Sequence, residues 1–175
     1  MLRIPFRVIP PDVDEHVLPG EAPDRYVTRL SRAKAEAVVA RAPGELVLAA
    51  DTTVVLDGAI FEKPTSPANA VEMLSRLQGK THEVMTAVAV ARDGDLAQAL
   101  DVSRVTFRPA DRPTLEAYVA TGEPLDKAGA VALRAPGEVV LGADTTVVLR
   151  GEVFEKPSTP ADAMQIGRAS CRERV

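Results

Sequence analysis

The spacing of apolar residues predicts a short strand and a long helix in the first third of the chain. Phe6–Ile9 alternates apolar and polar positions, and Pro10-Pro11 ends this strand because proline has no backbone N–H to pair. After Asp24, the predicted N-cap, apolar side chains recur every three or four residues until Pro43-Gly44. This period predicts a helix of about four turns with one buried face.

Two apolar runs follow the helix, at Leu46–Ala50 and Thr53–Leu56, with Asp51-Thr52 between them. Such runs are typical of strands, and we expect the first strand to end at the polar pair. Asp57-Gly58 is a strong signal for the tight turn of a hairpin. The pattern therefore predicts two strands, with Asp51 at a strand end.

The next part of the chain is predicted to hold two helices around two long strands. Ser66-Pro67 indicates a helix start, with serine as the cap and proline in the first turn, and the helix runs to Gly79. Glu83–Arg92 and Ala99–Arg108 are predicted antiparallel strands at the centre of the sheet, and a short helix covers Thr114–Ala120. Hairpins mixed with helical connections predict an α/β domain, a mixed β-sheet with flanking helices.

The chain also contains an internal repeat. Residues 34–72 recur as residues 127–165 without a gap, and 26 of the 39 positions are identical. A solenoid would need at least three such units, so the match indicates a truncated duplication. An intramolecular pseudo-dimer is the alternative, but residues 73–126 have no copy. We expect a domain over residues 1–130, a partial repeat over residues 127–165 and a non-native tail over residues 166–175.

The repeat and the tail are not expected to contribute chemistry. The final ten residues carry no amphipathic period and hold the single cysteine, Cys171. One choice of codons for them spells a sequencing-library adapter read in frame. In the repeat, Asp144, Thr145 and Lys156 copy three candidate residues without the surrounding elements, so we expect them to be inert. We expect the strands of the repeat either to add to an edge of the sheet or to stay exposed.

Composition excludes several kinds of partner and site. The net charge is -4 without a basic block, which disfavours a nucleic-acid-binding face. No stretch approaches the ~20 apolar residues of a membrane span, and no signal peptide is evident, so we expect a cytoplasmic protein with no membrane partner. One cysteine and two histidines exclude a Cys/His zinc site but not a metal held by oxygen atoms. A homodimer is the default for small cytoplasmic enzymes.

Two charged residues near the predicted strands are candidates for chemistry. Asp51 follows an apolar run, where a carboxylate is costly unless it is paired, hydrated or metal-bound. That position suits an active site, although an aspartate there more often caps a turn, here through the Thr53 amide. Lys63 follows the next strand, where an exposed loop cation is again the simpler interpretation. Neither residue alone indicates a function.

Other candidates lie upstream and downstream of that pair. Glu15, beside Asp14 in a proline-rich loop, and Lys34 in the first helix offer the carboxylates and the cation that Mg²⁺ and a polyphosphate require. His82 at a strand start is either an acid or base or, more commonly, a hydrogen-bonded structural residue. The sequence lacks the G-x-x-x-x-G-K-[ST], G-x-G-x-x-G and G-x-S-x-G motifs, which excludes P-loop, Rossmann and nucleophile-elbow sites.

A series of short motifs is specific in its order and spacing. The motifs are Ile4-Pro5-Phe6, Asp14-Glu15, Gly20-Glu21-Ala22-Pro23, Leu30 to Lys34-Ala35, Ala50-Asp51-Thr52-Thr53-Val54-Val55, Glu62-Lys63-Pro64, Met73-Leu74, Leu77-Gln78-Gly79, Thr86-Ala87-Val88 and Tyr118 to Asp126-Lys127-Ala128-Gly129-Ala130. The series resembles the Maf family over residues 4–130. The resemblance implies a fold similar to inosine triphosphate pyrophosphatases. It also implies hydrolysis of a nucleoside triphosphate to the monophosphate and pyrophosphate, with a divalent cation, Mg²⁺ or Mn²⁺.

The resemblance also implies a role for individual residues. By position, Asp51 would accept a proton from the water that attacks the α-phosphorus, and Glu15 would be a metal or water ligand, with Asp51 as the other metal ligand. Lys34 and Lys63 would neutralise the triphosphate. The residue after Asp51 is Thr52, as in the family members that resemble dTTP/UTP pyrophosphatases. This match implies dTTP and UTP as substrates.

Asp126 and Lys127 match a further family segment and are expected to line the cleft. The chain departs from the family pattern because it begins after the usual Ser-x-Ser-Pro-Arg-Arg loop and enters the repeat at Lys127–Ala130. We therefore expect low stability and weak or no turnover. The alternative is a non-catalytic nucleotide-binding or cell-division regulatory protein. Asp51→Asn separates the two, because it should abolish turnover in an enzyme and barely change nucleotide binding in the alternative.

Overall fold

A computed structural model describes residues 6–130 and 146–149, which form three helices against a six-stranded sheet. The strands are β1 (Phe6–Val8), β2 (Leu46–Leu56), β3 (Ala59–Phe61), β4 (Thr81–Arg92), β5 (Asp95–Thr106) and β6 (Thr146–Leu149). The helices are α1 (Pro23–Val39), α2 (Pro67–Leu77) and α3 (Arg112–Ala120), and short 3-10 turns follow at Glu123–Asp126 and Ala128–Ala130. The α/β fold with flanking helices is confirmed.

β2 is one continuous strand, which corrects the prediction that it ends at Asp51. Its pairing with β4 is unbroken from Val47 opposite Ala91 to Val55 opposite Glu83. No glycine or proline interrupts the run, and threonine is a good strand former, so local preference favours continuation once the carboxylate is paired. Asp51 therefore lies in mid-strand, and its interpretation as a turn cap is wrong.

Local capping sets the helix ends. Ser66 caps α2, as predicted, because its hydroxyl accepts a hydrogen bond of 3.1 Å from the Asn69 amide. The predicted cap of α1 is wrong. That helix begins at Pro23 after Ala22, and Asp24 lies in the first turn, where its charge complements the helix dipole.

β4 and β5 form a long hairpin closed by Asp93 and Gly94, which both have positive φ, 50° and 96°. Positive φ at both turn positions matches the right-handed twist of the flanking strands. β4 lies inside the sheet between β2 and β5, as predicted. The central position expected for β5 is wrong, because among the described strands it pairs with β4 alone and most of its residues are exposed.

The described strands all pair antiparallel, in the order β1, β6, β2, β4 and β5, with β3 also on β2. The parallel pairing of a mixed sheet does not occur among them. β6 belongs to the internal repeat and pairs with β1 on one side and β2 on the other. The sequence predicted that the repeat adds to a sheet edge or stays exposed, whereas β6 lies inside the sheet between β1 and β2.

The sheet separates two apolar layers. On one face α1 packs on β2 and β4 through small and branched side chains, which are Ala35, Val38, Val47, Ala49 and Ala89. On the other face α2 and α3 cover larger residues, among them Val54, Leu74, Leu77, Val84 and Leu115. Tyr118, expected in the core, is half-buried against this second layer. Asp51 and Lys34 lie on the α1 side, at the margin of the first layer.

No helix in the described part of the chain combines the length and apolar character needed to cross a bilayer. The cytoplasmic location, the homodimer and the domain boundaries expected from the sequence stay predictions. Some residues named above lie outside the described residues, namely Asp144, Thr145, Lys156 and residues 166–175.

Gly129 connects the last described turn of the domain to the sheet. Its φ is +61°, and a Cβ there would lie 3.0 Å from Val54 Cβ. Its amide donates a hydrogen bond of 3.0 Å to the carbonyl of Glu62. Both the backbone angle and the close approach require glycine.

We expect Gly129→Ala to lower the free energy of unfolding by about 1–3 kcal/mol more than Gly122→Ala does. Gly122 is a matched control, because its φ is +77° but a Cβ there would meet nothing within 4 Å. Urea unfolding of both variants separates backbone strain, which they share, from crowding, which only Gly129→Ala introduces. Equal losses of stability would contradict the close packing of Gly129 on Val54.

Candidate functional site

Asp51 lies in the middle of β2 on the face that α1 covers. Side chains alternate along a strand, and Val47 and Ala49, its neighbours on this face, pack under α1. The Asp51 side chain is 7% exposed, and its Oδ1 atom accepts a hydrogen bond of 2.7 Å from Nζ of Lys34. Lys34 comes from α1 and is fully buried. The carboxylate is tolerated in mid-strand because the helix supplies an ammonium group to it.

Lys34 holds a second carboxylate as well. Glu15, in the loop between β1 and α1, places Oε1 2.9 Å from the same Nζ atom. Lys63 follows β3 and approaches Glu15 from the other side, with 4.0 Å between Nζ and Oε2. We call Glu15, Lys34, Asp51 and Lys63 the two-lysine cluster. The structure brings together residues that the sequence offered as separate candidates.

The electrostatics of the cluster keep its central lysine charged. Burial lowers the pKa of Lys34, but Asp51 and Glu15 outweigh that effect, so the pKa lies above its ordinary value. Burial raises the pKa of Asp51, and Lys34 opposes the rise. Asp51 is therefore a stronger base than a surface carboxylate, and the ammonium of Lys34 stabilises its ionised form.

Thr52 faces away from the cluster. It is next to Asp51 in β2, so its side chain lies on the opposite face of the sheet. There its hydroxyl lies 2.9 Å from the hydroxyl of Thr86, its cross-strand partner in β4. Of the residues expected to bind substrate, Thr52 is thus one that the structure does not bring to the two-lysine cluster.

Asp126 and Lys127 lie in the turns that end the domain. The hydrogen bond from the Gly129 amide to the carbonyl of Glu62 brings this segment against the loop that carries Lys63. The side chain of Lys127 is half-buried, and its carbonyl accepts a hydrogen bond from the Ala130 amide. The Asp126 side chain lies outside the described part of the structure. The expected role of both residues at the cleft stays a prediction.

His82 corrects an expectation from the sequence. It is 2% exposed, and within the described residues neither of its ring nitrogens has a hydrogen-bond partner. Its ring packs edge-on against Phe107, with 4.6 Å between the ring centroids. Burial lowers the pKa of His82, which favours the neutral ring. His82 is therefore a buried packing residue in β4 rather than a hydrogen-bonded one.

Tyr26 and Arg29 of α1 contact the loop that carries Glu15, and neither was among the candidate residues predicted from the sequence. Tyr26 is 6% exposed, and its hydroxyl donates a hydrogen bond of 3.0 Å to the backbone carbonyl of Glu15. Burial raises the pKa of this phenol, and Asp51 raises it further, so the hydroxyl stays protonated. A signal existed in the sequence, since a buried tyrosine hydroxyl usually needs a partner.

Two side chains of the cluster are carboxylates of the kind that can bind a divalent cation. Mg²⁺ is commonly bound by one or two carboxylates together with water and substrate phosphates. Asp51 and Glu15 supply two such hard oxygen ligands around one ammonium group. No group of three or more acidic, histidine or cysteine side chains suited to a metal occurs within residues 6–130 and 146–149. Asp51 and Glu15 are thus the residues of the cluster that could hold a divalent cation.

Known proteins are similar to most of the chain. A family described as Maf-like protein matches residues 1–138. The dTTP/UTP pyrophosphatase of Pectobacterium atrosepticum is 50% identical over 137 residues, which cover 78% of this chain and 70% of that protein. The protein of the same name from Methylococcus capsulatus is 48% identical over 137 residues, 78% of this chain and 68% of its own length. The one from Symbiobacterium thermophilum is 46% identical over 131 residues, with coverage of 75% and 68%. The two-lysine cluster lies within the matched residues.

Proposed function

The chain belongs to the Maf family, and from that premise we propose that it hydrolyses nucleoside triphosphates, dTTP and UTP above all, to the monophosphate and pyrophosphate. The observation that carries this proposal is the buried ammonium of Lys34, which holds Asp51 and Glu15 at once. A base beside fixed positive charge is what attack of water on a polyphosphate requires.

Asp51 acts as the general base in this proposal. It takes a proton from a water molecule whose oxygen forms a bond to the α-phosphorus. The bond from the α-phosphorus to the oxygen bridging to the β-phosphorus breaks, and its electron pair leaves with pyrophosphate. The burial that raises the pKa of Asp51 strengthens it as a base, and Lys34 orients the carboxylate.

The remaining residues of the cluster handle the negative charge of the substrate. Lys63 is 42% exposed and lies at the open side of the cluster, where it can contact phosphate oxygens. Glu15 and Asp51 would hold a divalent cation, Mg²⁺ or Mn²⁺, which when bound polarises the phosphate and neutralises developing charge. Lys34 keeps both carboxylates in place.

The preference for dTTP and UTP is supported by the names of similar proteins and by Thr52 in the family motif. Thr52 itself lies on the sheet face opposite the two-lysine cluster, where its hydroxyl is 2.9 Å from that of Thr86. The weak turnover expected from the sequence stays a prediction.

The proposal is tested by measuring pyrophosphate release from a panel of nucleoside triphosphates, with Mg²⁺ and then with excess EDTA. We expect kcat/KM for dTTP and UTP to exceed that for dATP and GTP by about 10-fold or more, and EDTA to abolish release. Equal rates for purine nucleotides would contradict the substrate preference. Full activity in EDTA would contradict the divalent cation.

A further inference from the structure

The loop that carries Glu15 is fixed by contacts outside the two-lysine cluster. Residues 9–22 form neither helix nor strand, so a regular backbone does not hold Glu15 in place. Tyr26 donates a hydrogen bond of 3.0 Å to the carbonyl of Glu15. Arg29 donates one of 2.9 Å to the carbonyl of His16. Two consecutive carbonyls of the loop are therefore held from a single turn of α1.

Arg29 is itself fixed by an acidic residue of the same loop. Its Nε atom lies 2.6 Å from Oε1 of Glu21, and its Nη2 atom lies 2.8 Å from Oε2. Glu21 also accepts a hydrogen bond of 3.0 Å from the Leu18 amide. The hydrogen bonds from Arg29 lower the pKa of Glu21 to about 2. A bidentate arginine–carboxylate pair of this kind is geometrically specific, so it fixes the loop against α1.

We propose that Tyr26 and Arg29 are positioning residues, which hold the Glu15 carboxylate against Lys34 for the reaction. Tyr26 and Lys34 are both buried side chains of α1. Lys34 binds the side chain of Glu15 while Tyr26 binds its backbone. The Glu15 side chain is 42% exposed and pairs with Lys34, so the backbone anchor complements that ion pair by fixing the loop from which the carboxylate reaches Lys34. This inference rests on the proposed function.

The proposal predicts that Tyr26→Phe, which removes only the hydroxyl, lowers kcat by about 10- to 100-fold because Glu15 is displaced. KM for dTTP should change little, since Lys63, the residue proposed to contact the phosphates, remains. Hydrogen–deuterium exchange at the amides of residues 14–18 should become faster, a readout independent of activity. Tyr118→Phe is the matched control, because Tyr118 is the second of the two tyrosines and lies in α3. It should change neither kcat nor exchange in the loop.

A double-substitution cycle separates positioning from a general structural role. If Tyr26 acts through Glu15, then Tyr26→Phe combined with Glu15→Gln should be no slower than Glu15→Gln alone. If the losses of kcat in the two single variants multiply in the double variant, the proposal is overturned. A Tyr26→Phe variant with wild-type kcat and wild-type hydrogen–deuterium exchange in the loop would also overturn it. A wild-type chain without pyrophosphatase activity would contradict the proposed function itself, whereas multiplying effects in an active chain contradict only this inference.

The same test applies to Arg29, with a second residue of α1 as its control. Arg29→Met should lower kcat and accelerate exchange in the loop. Arg32→Met removes the same charge from the same helix, but Arg32 pairs only at the surface, where Nε lies 2.8 Å from Glu36 and the side chain is 56% exposed. Loss of activity in both variants to the same extent would contradict a specific role for Arg29.

Discussion

Asp51→Asn is expected to lower kcat for pyrophosphate release by about 10²–10⁴-fold, the range that a general base contributes. The substitution keeps the size of the side chain but removes its basicity, and the buried ammonium of Lys34 keeps Glu15 as a partner. Because Asp51 is also one of the two residues proposed to hold the divalent cation, we expect the affinity for a non-hydrolysable dTTP analogue to fall as well, but by less than kcat does. Pyrophosphate release and calorimetric binding, measured on the same preparations, report the two quantities.

Asp101→Asn is the control for this prediction. Asp101 is exposed on β5, at the sheet edge, and its carboxylate accepts a hydrogen bond from the nearby Ser103. The same chemical change there should leave kcat unaltered. An Asp51→Asn variant with wild-type kcat would contradict the assignment of Asp51 as the base. Binding without turnover in the wild-type chain would favour a non-catalytic nucleotide-binding protein.

The largest effect on stability is expected from Lys34→Met. Lys34 is fully buried and Asp51 nearly so, so the variant leaves Asp51 without its cation, and breaking such a pair costs about 3–5 kcal/mol. Urea unfolding measures the loss. Lys80→Met, at an exposed position, is the control and should change stability by less than about 0.5 kcal/mol.

The loss should depend on pH in a defined direction. Burial already raises the pKa of Asp51, and removal of Lys34 raises it further. A carboxyl group whose folded pKa lies above its unfolded value binds more protons when folded, so the variant loses stability as pH rises from the unfolded value, 3.8, towards the folded one. The difference from wild type should therefore be smallest in acid and grow towards neutral pH. A small loss that does not vary with pH would contradict the buried ion pair.

A second substitution identifies the source of that loss. In Lys34→Met/Asp51→Asn the buried charge is gone, so the double variant should be more stable than Lys34→Met alone at neutral pH. If the double variant is instead less stable than either single variant, packing around the Lys34 stem, rather than its charge, stabilises the fold.

The sequence predicted the elements whose signals are local. The cap at Ser66, the turn at Asp57-Gly58 and the extent of α2 all depend on a few adjacent residues, and the structure confirms them. The continuity of β2 was not predictable in this way. A carboxylate in an apolar run indicates a strand end unless its charge is paired, and the pairing group, Lys34, lies 17 positions away on α1.

In the candidate site, too, the features that depend on residues far apart in the chain could not be predicted from the sequence. The resemblance to the Maf family implied phosphate chemistry for Glu15, Lys34, Asp51 and Lys63, but their contacts depend on the tertiary fold. Packing of α1 on β2 pairs Lys34 with Asp51, and the two loops that carry Glu15 and Lys63 complete the cluster. Strand alternation explains why the adjacent Thr52 does not join them, because one residue along a strand reverses the face. A tyrosine on the buried face of a helix signals that its hydroxyl needs a partner, but the partners of Tyr26 and Arg29 are main-chain carbonyls, which leave no sequence pattern that identifies them.

Hydrolysis of dTTP in water enriched in ¹⁸O tests the central claim most directly, because it shows which phosphorus the water attacks. With Asp51 as the base for attack at the α-phosphorus, mass spectrometry should find one ¹⁸O atom in thymidine monophosphate and none in the pyrophosphate from a single turnover. Label in pyrophosphate, or release of inorganic phosphate with thymidine diphosphate, would contradict the account.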